Sequence, residues 1–217
     1  ENPGWYTAYT PYQAEVAQGR LEALLNYQTV ICDLTGMELS NASLLDEGTS
    51  AAEAMTMLFS NRNREKVNSN CNKFFVADDI FDQTLDVLLT RAEPLGIEII
   101  KNSIDKINVD EGFFGCYVQY TGKNGQIHDL KSISKILSNF DIKLVVGADL
   151  LSLCILEKPS LFNCDVVVGT SQRFGIPLGY GGPHAGYFAT KKQYKRSIPG
   201  RIIGVSKDTD GNRALRM

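Results

Sequence analysis

Six short apolar runs punctuate the chain: KFFVAD (73–78), IEII (97–100), FFGCYVQY (113–120), KLVVGAD (143–149), CDVVVG (164–169) and GYFA (186–189). They are rich in β-branched and aromatic residues, and most are apolar throughout rather than alternating. Such runs suit strands buried on both faces, which is how parallel sheets covered by helices read. The segments DQTLDVLLTRAE (82–93) and LKSISKILSNF (130–140) carry helical patterning and supply crossovers. The chain is therefore expected to be α/β, a mostly parallel sheet flanked by helices. Two earlier helices are expected, one over 12–35 stopped by Gly36 and one starting near Thr49. The Asn-rich stretch 60–72 reads as a loop, and GYFA reads as the last strand.

In sheets of this kind, ligands bind beyond the carboxyl ends of the strands. Three segments fall there: DEGTSAAE, GADLL and GTSQRFGIPLGYGGPHAG. Gly48, Thr49 and Ser50 open a helix, where free N–H groups and the helix dipole suit a phosphate; capping by Thr49 or Ser50 is the plainer reading. Asp149 closes a strand, where it can pair with a cationic ring nitrogen or cap the LLSLCI segment that follows. Between Val166 and Gly186 the chain holds six glycines. Gly179 and Gly181 begin a GxGxxG spacing, but His184 stands where the third glycine belongs, and no GxxxxGK[ST] motif occurs. A nucleotide-binding reading is thus disfavoured. His184 is open between a loop role and a site role, whereas His128 reads as a solvated loop residue.

Composition removes further classes. The net charge of -3 gives no footprint for nucleic acid or an anionic membrane. No apolar run approaches the roughly 18 residues of a membrane span. Five scattered cysteines without a CxxC pair, and only two histidines, give no metal site. Cys32, Cys116 and Cys164 lie in apolar runs and read as small buried thiols in a reducing compartment, where the Asn41-Ala42-Ser43 sequon is chance. The basic turn over 191–204 reads as a solvated face. Both ends look cut, so the chain reads as a fragment.

A strand-end Asp, a phosphate cup and a strand leading into a glycine loop resemble, in this order, the large domain of fold-type-I pyridoxal phosphate enzymes. Longer stretches are closer still. ENPGWYTAYTPYQAEVAQGRLEALLNYQT, NASLLDEGTSAAEAM, DLLSL and GTSQRFGIPLGYGGPHAGYFA…PGRIIGVSKD resemble the amino-terminal half of the P-protein family of the glycine cleavage system. The resemblance implies that residues 1–217 are part of the large domain of that half. It also implies an enzyme that uses pyridoxal phosphate to decarboxylate glycine and passes the aminomethyl group to the lipoyl arm of the H-protein. Implied partners are the H-protein and a homologous carboxyl-terminal catalytic half or subunit, in a homodimer or heterotetramer. The implied location is bacterial cytoplasm or, alternatively, the mitochondrial matrix.

Aligned on the F…P…GGP frame, the family's Schiff-base lysine falls on Gln172. An amide nitrogen is delocalised and cannot form an imine, so this half is expected to be non-catalytic and to hold the cofactor weakly or not at all. Gln172 then reads as an ordinary hydrogen-bonding side chain at an interface between halves. Gly48, Thr49, Ser50, Asp149, Gln172 and His184 would line a vestigial or interface pocket. A cofactor-free assembly subunit, paired with a separate catalytic chain, is the alternative. Phe81-Asp82 stands where the family usually has His-Pro, a departure that bears on any polar role there but not on the fold.

Overall fold

The computed structural model describes residues 2–6 and 10–217; the rest of the opening motif, Glu1 and residues 7–9, lies outside the described residues. The strands are Leu39–Ser40 (β1), Lys73–Ala77 (β2), Glu98–Asn102 (β3), Phe113–Tyr120 (β4), Lys143–Ala148 (β5), Val166–Thr170 (β6), Gly186–Thr190 (β7), Gly204–Lys207 (β8) and Arg213–Arg216 (β9). The helices are Pro3–Tyr6 (α1), Gln18–Thr35 (α2), Glu47–Ser60 (α3), Arg64–Asn68 (α4), Asp82–Ala92 (α5) and Leu130–Ser138 (α6). Seven strands form one sheet in the order β1-β7-β6-β5-β4-β2-β3. The five from β6 to β3 run parallel, while β7 and β1 add antiparallel strands at one edge.

The unbroken apolar runs follow from burial on both faces. In β6, Val167 faces a core shared with Leu130, Ile133 and Leu137 of α6, and Val166 and Val168 face the opposite core of α3 and α5. All eight residues of β4 are buried, which explains why its run has no polar alternation. This topology sets the carboxyl ends of β4, β5 and β6 side by side, with the start of α3 across them.

Several expectations need correction. The helix expected over 12–35 is α2, which begins at Gln18 rather than near residue 12; a short 3-10 turn at Ala14–Val16 precedes it, and Gly36 does end it in the left-handed region at φ 73°. The Asn-rich stretch is not all loop, because Asn63 caps α4 by accepting from the Lys66 N–H at 2.8 Å. The LLSLCI segment makes only a 3-10 turn at Ser152–Cys154. GYFA is not the last strand either: β8 and β9 form a separate antiparallel pair.

That pair is fastened to α2 by two glutamines, each bonding a backbone unit in both directions. Gln18 donates to the Leu215 carbonyl (3.0 Å) and accepts from its N–H (2.8 Å). Gln28 does the same to Ile203, at 3.1 and 2.8 Å. Leu21, Ile203 and Leu215 bury a small apolar cluster between these rungs. Among the described residues, no helix is long and apolar enough to cross a membrane.

Candidate functional site

Helix α3 opens the site, and its own carboxylates occupy its start. Asp46 is the N-cap, accepting from the Thr49 N–H at 2.7 Å. The cap is therefore neither Thr49 nor Ser50. The Ser50 hydroxyl is buried and donates to the Asp46 carbonyl at 2.7 Å. A Cβ on Gly48 would lie 3.2 Å from Val87 Cγ2, so the glycine lets α3 and α5 approach closely. Asp46→Ala is expected to cost about 1 kcal/mol by removing the cap, read as a lower urea midpoint.

Behind the cap lies a residue that sequence reasoning missed. The Glu47 carboxylate accepts from Gln119 Nε2 at 3.1 Å, and Gln119 Oε1 accepts from the Tyr117 hydroxyl at 2.8 Å. Burial lifts the Glu47 carboxyl to about 7, and the nearby Asp149 and Asp46 charges push the same way. Glu47 follows the cap directly in the sequence, but only the fold brings Gln119 and Asp149 to it.

At the end of β5, Asp149 has two partners. It accepts from the Leu151 N–H at 3.2 Å and forms an ion pair with Arg173. Arg173 was also missed, although it adjoins Gln172 in the sequence. At the end of β6, Gln172 is buried, and its carboxamide nitrogen donates to the carbonyls of Gly181 and Pro183. Its hydrogen bonds thus close within its own glycine loop. His184 is exposed and lines a cleft of about 390 Å³ with Asp46, Glu47, Phe81, Thr84 and Thr170.

Two tyrosines fill the sheet beneath the site. A Cβ on Gly147 would lie 1.9 Å from the Tyr117 hydroxyl; one on Gly169 would lie 2.2 Å from the Ala148 carbonyl and 2.7 Å from the Tyr187 ring. Both rings are fully buried, and burial holds both phenols well above their ordinary range.

His128 requires a correction, because it is buried and its Nε2 lies 2.8 Å from Asp79 Oδ2. This pairing is not legible in the residue order, since 49 positions separate the two residues. Cys116 and Cys164 are buried, and desolvation pushes the Cys164 thiol up to about 12; Cys32 is only half-buried. Within the basic turn, Lys191 is not merely solvated: it pairs with Asp165 at 2.9 Å. Among the described residues, no group of three His, Cys, Asp or Glu side chains is arranged to hold a metal ion.

A pyridoxal phosphate would need a helix start free for phosphate, a carboxylate free for its ring nitrogen and an amine for its aldehyde. Here Asp46 and Glu47 stand at the helix start, Asp149 is tied to Arg173, and Gln172 is an amide already engaged. The residues present do not fit the cofactor.

The fold itself is that of fold-type-I pyridoxal phosphate enzymes. A Campylobacter jejuni protein described as an O-acetylhomoserine (thiol)-lyase, solved with a pyridoxyl-lysine monophosphate, superposes with a TM-score of 0.63 at 14% identity. That match covers 81% of this chain and 42% of the other. The chain belongs to the glycine cleavage system P-protein family, whose model matches residues 1–217. It is 58% identical over its whole length to a glycine dehydrogenase (decarboxylating) of Flavobacterium johnsoniae, of which it spans 23%. A crystal structure of glycine decarboxylase (P-protein), in inhibitor-bound form, matches 99% of the chain with a TM-score of 0.89 at 33% identity, over 48% of that structure's chain.

Proposed function

We propose that this segment is part of the large domain in the amino-terminal, non-catalytic half of a decarboxylating glycine dehydrogenase. The complete protein would use pyridoxal phosphate to decarboxylate glycine and deliver the aminomethyl group to the lipoyl arm of an H-protein. The cofactor's contribution is an electron sink for the carbanion left by decarboxylation. This half contributes scaffold and interface, with its glycine loop facing the carboxyl-terminal catalytic half. Gln172 carries the reading, because the residue in the lysine's place has no nucleophilic nitrogen and spends its hydrogens on two carbonyls. The filled helix start argues the same way, since the Asp46 carboxylate already caps it and repels the dianion that a bare N-terminus attracts.

The Flavobacterium relative carries this segment within a chain of which it is 23%, which favours a catalytic half on the same polypeptide over a separate subunit. A homodimeric or heterotetrameric assembly in the bacterial cytoplasm completes the proposal. The test is borohydride trapping of pyridoxal phosphate on the full-length protein, followed by peptide mapping. The pyridoxyl label is expected only outside residues 1–217, and a label on any lysine within them would overturn the assignment.

A further inference from the structure

We infer that Gln172 is a positioning residue, whose carboxamide hydrogens hold the glycine loop in one conformation toward the catalytic half. The inference rests on the reading above for which way the loop faces, but the clamp itself is visible in this chain. Gln172 is 7% exposed, and its side-chain nitrogen donates to the Gly181 carbonyl and to that of Pro183 at 3.3 Å. Its own peptide N–H donates to Thr170 Oγ1 at 3.2 Å, and its carbonyl accepts from Ile176 at 3.0 Å. One residue thus ties the end of β6 to the near and far limbs of the loop.

The far limb must pass very close. At Gly182 (φ 61°) a Cβ would lie 2.2 Å from the Pro177 carbonyl and 3.3 Å from Gln172 Nε2, so the limbs meet at the carboxamide. Between Gln172 and Gly182 the loop bears three exposed apolar side chains, Phe174, Leu178 and Tyr180. Tyr180 is fully exposed and sits in the left-handed region (φ 52°, ψ 36°), a costly conformation for a residue with a Cβ. Among the described residues no side-chain hydrogen bond or ring contact of Tyr180 repays that conformation, whereas a fixed loop would present its ring outward. The clamp needs a donor, because both atoms it meets are carbonyl oxygens. A nucleophile is not required. An amide therefore suffices at the position.

The test uses the full-length protein, with hydrogen–deuterium exchange read across residues 173–186. Gln172→Glu keeps the shape but loses both hydrogens and turns a carboxylate toward two carbonyls. Gln172→Met removes donation without adding charge and serves if the first variant folds poorly. Both are expected to speed exchange at Ile176 and Gly182 by about tenfold or more, leaving the strand amides unchanged. Gln172→Lys, which retains N–H donors, should stay close to wild type. Unchanged exchange in the first two variants would overturn the clamp, as would a Lys variant exchanging as fast as the Glu variant. A loosened loop with unaltered glycine decarboxylation would support the clamp and overturn the reading that the loop faces the catalytic half.

Discussion

Glu47→Gln gains stability relative to the unmodified chain as the pH rises, and the difference should grow by about 3 kcal/mol between pH 4 and pH 8. The folded carboxyl titrates near 7 against an ordinary 4.5, chiefly because burial strips it of water. Below pH 4.5 both folded and unfolded chains hold the proton, and the group is silent. Between 4.5 and 7 the unfolded chain releases it first, so folding loses stability with rising pH, at about 1.4 kcal/mol per unit. Above 7 the loss is complete and constant. Placement in the first turn of α3 favours the charged form, but that effect contributes only about 0.3–1 kcal/mol and burial prevails. Gln cannot ionise and can still accept from Gln119. Urea unfolding of both proteins at several pH values is the measurement; parallel stability curves would refute the buried-carboxyl account.

Gly169→Val should cost about 3 kcal/mol, enough to consume much of a domain's margin. The new Cβ would lie 2.2 Å from the Ala148 carbonyl, and that oxygen belongs to the neighbouring strand β5 rather than to a flexible side chain. Relief would require spreading β5 from β6, whose ladder pairs Val145–Gly147 with Val166–Val168. The Tyr187 ring, 2.7 Å away, blocks the other escape, and its hydroxyl is committed to Ala148 at 2.7 Å. Gly147→Ala should be milder, because what it first meets is the far end of the Tyr117 side chain. Equal urea midpoints for the two variants would contradict this ordering.

The strands were the most legible part of the sequence. β4 was read to the residue, and β2, β5, β6 and β7 to within two at either end, because residues buried on both faces leave unbroken apolar runs. The β8–β9 pair was not legible: Gly204–Lys207 is mostly exposed, and its turn carries Asp208 and Asp210 instead of an apolar signal. At the site, position in the chain was readable and partnership was not. Asp149 stood out as a strand-end carboxylate, yet nothing in the sequence pointed to its ion pair with Arg173, 24 residues on. The phosphate-cup reading of Gly48, Thr49 and Ser50 depended on orphan N–H groups. Asp46, immediately before Glu47, already satisfies the Thr49 N–H, a capping pattern that could have been weighed from residue types alone. The Asp79–His128 contact arises only where the turns after β2 and β4 converge.

The two glutamine rungs between α2 and the β8–β9 pair order events during synthesis. A ribosome makes α2 well before the backbone units that Gln18 and Gln28 grip, which emerge 197 and 175 residues later. Until Ile203 and Leu215 leave the exit tunnel, the first half of that helix has no seat on this side, and Leu21 remains wet. Within this segment, α2 is thus made long before the backbone that holds its flank.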